Sequence, residues 1–226
     1  MTPTVPEAWL VDVTRLVSHG EFGAAMSALQ AATLAHPASA AAWKLLGVAE
    51  NKLGEHADAE RHLQHSLELD GSDADAWSSL GGICVASGRH EDALACFEKS
   101  LACSGPNSYA LLNYLTMVAL VGDADSALRR LAPALRTGRL DCQAQIAAAS
   151  NLPWCHYDLA QILFFDDSGP FQPVLAQALA TSAPWQAASA RRTYELLTHN
   201  LRFGAAARQA LEMFTQHSAP KAGEVA

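Results

Sequence analysis

Apolar and small residues in the first part of the chain return in a register of 34 positions. Trp9, Trp43 and Trp77 keep this step, and so do Gly20, Gly54, Gly88 and Gly122. Ala25, Ala59, Ala93 and Ala127 form a third ladder, and Leu29, Leu63, Phe97 and Leu131 a fourth. In the two middle blocks the tryptophan is followed three residues on by Leu46 or Leu80, then directly by Gly47 or Gly81. Residues three apart share one face of a helix. Each block therefore predicts one helix carrying Trp and Leu, a stop at Gly54 or Gly88, and a second helix carrying Ala and then Leu63 or Phe97. Glycine just past a helix end adopts the left-handed conformation that closes it. The acids of Glu55-His-Ala-Asp58 and Arg89-His-Glu-Asp92 fall in the first turn of the second helix, where the helix dipole favours them. Pro37 and Pro106 separate successive blocks, since proline breaks helices.

The stretches Trp77-Ser-Ser-Leu80-Gly81…Gly88…Ala93…Phe97 and Trp43-Lys-Leu-Leu46-Gly47…Gly54…Ala59…Leu63 resemble the tetratricopeptide-repeat family. The resemblance gives four repeats, at about 6–39, 40–73, 74–107 and 108–141. The first keeps Trp9, Gly20, Ala25, Leu29, Ala32 and Pro37 but has Asp12 and Val13 for the Leu-Gly pair; the fourth has Leu111 for the tryptophan and Leu115 for the glycine. It implies an all-α fold, a right-handed superhelical solenoid of helix hairpins whose first helices line a concave groove. Projected onto that groove, the register selects Lys44, Asn51, Lys52, Asp75, Ser79, Tyr109, Asn113 and Thr116 as candidates to hold a partner segment. One subclass of the family grips chaperone C-termini with lysine, asparagine and arginine side chains. Only Lys44 matches that clamp, with Val48, Ser79, Tyr109 and Asn113 elsewhere, so chaperone-tail recognition is not expected.

The register is lost from Cys142 onward. Helices are predicted over 142–151, 154–166, 170–182, 184–200 and 203–217, with 142–217 as a degenerate helical or capping region and 218–226 as a flexible tail. Gly204-Ala-Ala echoes Gly23-Ala-Ala of the first repeat, and Trp154, Trp185 and the Phe164-Phe165 pair suggest a second helical pack.

Of the 226 residues, half are hydrophobic and only 17% charged, enough to bury a core. The formal net charge of -8, with dense basic spots only at Arg129–Arg130 and Arg191–Arg192, argues against nucleic acid as a partner. Five cysteines without a C-x-x-C fit a reducing compartment. Without an apolar run of bilayer length or a basic leader, no membrane partner is expected and the cytoplasm is the predicted location.

Candidate chemistry gives way to simpler explanations. His56, Glu60, His62 and His65 have helical spacing suited to a metal but are expected on the solvated outer side of their helix. Cys155, His156 and Asp158 supply a nucleophile, base and acid in name, yet adjacent helical residues point about 100° apart and form no dyad. Asp166-Asp167 is expected to be a helix end. No enzyme activity, cofactor or metal is expected. The leading expectation is a scaffold or adaptor that holds a protein or peptide; the alternative is a non-catalytic subunit assisting a separate transferase or oxygenase. An exposed solenoid edge offers a surface for homo-oligomers.

Overall fold

The computed structural model describes residues 8–104 and 108–218, with side chains from Leu10 to Cys103 in the first stretch. The Trp9 side chain, Pro106 and tail residues 219–226 lie outside the described residues. Twelve α-helices and no strand occur among the described residues. The chain divides into two compact units, Met1–Gly105 and Pro106–Ala226.

The first unit comprises α1 (Ala8–Ser18), α2 (Phe22–Ala35), α3 (Ala40–Leu53), α4 (His56–Leu69), α5 (Ala74–Ala86) and α6 (His90–Ser104). They pack as the hairpins α1/α2, α3/α4 and α5/α6, with α2 against α3 and α4 against α5. Repetition extends to single atoms. The indole N–H of Trp43 donates to the Pro37 carbonyl at 2.9 Å, and that of Trp77 to the Gly71 carbonyl at 3.0 Å. The Ser66 hydroxyl donates to the Ala40 carbonyl at 2.9 Å and Ser100 to Ala74 at 2.7 Å, tying the second helix of each hairpin to the start of its first. Gly20, Gly54 and Gly88 have φ of 78°, 87° and 71°, the left-handed stop predicted for them.

The close approach of paired helices is explained by two glycines. A Cβ on Gly47 would lie 2.8 Å from Leu63 Cγ and 3.0 Å from the Ala59 carbonyl oxygen; one on Gly81 would lie 2.6 Å from Phe97 Cε1. Leu63 and Phe97 are buried, so the ladder residues meet across each hairpin as the spacing predicted.

The second unit comprises α7 (Ser108–Val121), α8 (Ala124–Ala147), α9 (Trp154–Asp166), α10 (Gln172–Thr181), α11 (Pro184–Leu197) and α12 (Gly204–Ser218). Two differences from the sequence expectation appear here, in α8 and at the end of α7. The helix foreseen at 142–151 is the end of α8, which runs on through Pro133 to Ala147. Gly122, fourth in the glycine ladder, is not left-handed; α7 ends instead beneath Asn200, whose side-chain amide donates to the Ala119 carbonyl at 2.6 Å. The core is aromatic: Phe164 lies 5.2–5.6 Å, centroid to centroid, from Phe165, Phe171, Tyr194 and Phe203. Trp154 and Trp185 face each other at 5.7 Å.

Candidate functional site

Five of the eight groove candidates belong to α3 and α5 of the first unit, which adjoin. Ser39 caps α3 by accepting the Ala42 N–H, and Asp73 caps α5 by accepting the Asp75 and Ala76 N–H groups, so both helices start on a side-chain acceptor. Lys44 reaches from α3 to that second cap: its Nζ lies 2.8 Å from Asp73 and 3.8 Å from Asp75. Lys44 is thus a fastener between successive hairpins rather than a free cation. Asn51 accepts a hydrogen bond from His56 Nδ1 at 3.0 Å, and Lys52 is exposed. On α5, Ser79 is half-buried, and the neighbouring Gly82, which sequence reasoning passed over, faces open space where a Cβ would stand. Asp75, Ser79, Gly82 and Ala86 follow one another at steps of four, three and four, one face of α5 built from short side chains.

The other three candidates lie on α7 of the second unit. Tyr109 is exposed, Asn113 half-buried, and Thr116 only 3% exposed with its hydroxyl donating to the Leu112 carbonyl at 2.8 Å. Thr116 therefore presents no polar group to a groove. A threonine back-bonding to its own helix looks the same in sequence as one facing solvent.

The histidine cluster also differs from expectation. His62 is not solvated: its Nδ1 lies 2.7 Å from Glu50 Oε2, with side-chain exposures of 12% and 5%. Trp43 packs on both His62 and His65, with ring centroids 5.3 and 4.8 Å away. Burial holds the Glu50 carboxyl above the usual carboxylate range, partly offset by the His62 hydrogen bond and charge. Among the described residues no three His, Cys, Asp or Glu side chains gather to hold a metal ion. In the third repeat the positions of Glu50 and His62 are taken by Cys84 and Cys96. Burial pushes both thiols up, Cys96 to about 12. A buried thiol of this kind is not an activated nucleophile.

Cys155 and His156 are buried in the first turn of α9, the Cys155 thiol donating to the Ser150 carbonyl. Asp158 accepts a 2.7 Å hydrogen bond from Ser108 at the start of α7, and burial raises its carboxyl to about 6. Cys155 and Asp158 bond to different partners and the buried His156 Nδ1 has none among the described residues, so no hydrogen bond links the three. Asp166 ends α9 and accepts the Ser168 N–H, a helix end as expected.

A family model described as tetratricopeptide repeat matches residues 13–64 and 52–108. Among solved structures, MamA is similar over 63% of this chain and 83% of its own, with 23% identity and a TM-score of 0.53. YrrB, described as a TPR protein with an unusual peptide-binding site, is similar over 90% of both chains, with 13% identity and a TM-score of 0.51. No curated protein matches the chain. The matched stretch contains the hairpins in which Trp43 and Trp77, Gly47 and Gly81, and Ser66 and Ser100 play the same part 34 residues apart. The chain carries tetratricopeptide repeats over residues 13–108.

Proposed function

We propose that the first unit is a protein-interaction module in which the adjoining faces of α3 and α5 receive an extended segment of a partner protein. The carrying observation is the short-side-chain face of α5, where Gly82 opens onto free space beside Ser79 and Asp75. A backbone lying there meets little steric obstruction, and Asn51, Lys52, Asp75 and Ser79 supply polar groups along its edges. Concave faces of helical repeats serve this purpose generally, and one structural neighbour is described as having a peptide-binding site.

Lys44 is a poor probe of this surface, because reversing its charge removes a link to Asp73 and Asp75 as well as any contact with a partner. Ser79→Arg with Gly82→Arg obstructs the face without entering the core. Cross-linking of the full chain to partners in a native lysate, followed by mass spectrometry, tests the proposal. Partners captured by the unaltered chain are lost from the double variant while its melting temperature holds. Equal capture by both chains would remove this face from consideration.

A further inference from the structure

The second unit contains a trough that no groove candidate touches. Its cavity volume is about 430 Å³. Leu128, Ala132, Leu135 and Phe165 form an apolar floor; Leu128, Leu135 and Phe165 are buried in the core beneath it. Four of the chain's eleven arginines, Arg129, Arg136, Arg139 and Arg202, stand around that floor. Two are held within the protein: Arg139 donates to the Ser168 hydroxyl at 2.8 Å, and Arg202 pairs with Asp125. Asp166, also at the rim, accepts the Ser168 N–H. Arg129 and Arg136 are exposed and make no hydrogen bond or ion pair among the described residues. They differ in this from Arg130, which donates to the Tyr114 hydroxyl at 2.7 Å.

Seven residues apart on α8, Arg129 and Arg136 share a helix face and are separated by roughly 10 Å along the axis. Guanidinium groups favour carboxylates through paired charge-assisted hydrogen bonds. The apolar floor between them suits a non-polar side chain. We propose that this trough binds an acidic peptide segment of a partner protein, with two carboxylates on Arg129 and Arg136 and an apolar side chain between them over Ala132 and the edge of Leu128. The chain as a whole is acidic, with a formal net charge of -8, so an acidic ligand is disfavoured over most of its surface. A nucleic acid fits less well: the floor offers no exposed aromatic platform for bases, and two free arginines neutralise few phosphates.

Selection of a random dodecamer peptide display library on the full chain tests the proposal. Enriched sequences carry two Asp or Glu residues flanking an apolar one. A synthetic peptide of that sequence loses about tenfold or more in affinity against Arg129→Glu/Arg136→Glu, and a similar factor when its acids become amides. Arg129→Gln/Arg136→Gln gives the same loss and carries the test if the glutamate variant does not fold. Enrichment without acidic bias, or acidic peptides that bind both variants undiminished, would overturn the proposal. So would a single-stranded oligonucleotide or inorganic phosphate that binds through these arginines where no acidic peptide does.

Discussion

In the first unit, Trp43 and Trp77 do the same thing twice, each donating its indole N–H to a carbonyl six residues earlier and packing on the second helix of its own hairpin. In the second, Trp154 and Trp185 come from different, non-repeating helices and pack on each other. The contrast runs through both cores. The first unit is held by small residues that let helices approach, and each hairpin depends mainly on its neighbours. The second gathers five of the chain's seven phenylalanines and all four tyrosines, and fills irregular space with rings. Repetition leaves a face of short side chains open along α5; aromatic filling leaves a basic trough along α8. Each unit thus offers a different kind of surface.

The largest effect expected is on the aromatic core. Phe164→Ala removes the ring that touches four others and costs about 3–5 kcal/mol. Hydrogen exchange read by mass spectrometry should show residues 108–218 losing protection while residues 22–103 keep theirs. Equal loss in both stretches would erase the distinction between the units.

A smaller effect follows from pH. The Asp158 carboxyl is raised by burial to about 6 from an ordinary 3.8. Its contribution is therefore fully present below pH 3.8 and is lost as pH rises through about 6. Asp158→Asn should stabilise the protein by roughly 2–3 kcal/mol at pH 7.5 and by little at pH 4. Urea unfolding at both values checks this, and a gain independent of pH would contradict it.

Smaller again is a test inside the first unit. Gly47→Ala places a methyl group against Leu63 and the Ala59 carbonyl and should cost about 1–2 kcal/mol; Gly82→Ala enters open space and should stabilise α5 by roughly 0.5–1 kcal/mol. Thermal unfolding of the two variants gives opposite signs if the repeat packs as described.

The hairpins were legible in sequence because a period of 34 aligns Gly47 with Gly81 and Leu63 with Phe97, and Gly47 meets Leu63 in one hairpin as Gly81 meets Phe97 in the next. The same register gave the faces of α3 and α5 but not what their side chains already hold. Lys44 reads as a groove cation, yet Asp73 and Asp75 claim it across a hairpin boundary. His62 reads as solvated because its partner Glu50 lies on the preceding helix. In the second unit the helices were foreseen from composition and prolines, but their partners were not: Asn200 on Ala119 and Ser108 on Asp158 join residues 81 and 50 positions apart, with no period to relate them. The arginine trough carried one readable signal, Arg129 and Arg136 two turns apart on one helix; Arg202 reaches it only through the fold.

The most direct test of the central claim is calorimetric titration of the full chain with a display-selected peptide. Arg129 and Arg136 are first changed to glutamine, so that the trough is silent in both selection and measurement. With Gly82→Arg added, affinity should fall about tenfold or more while the melting temperature does not fall. Undiminished affinity would show that the open face of α5 is not where the protein holds its partner.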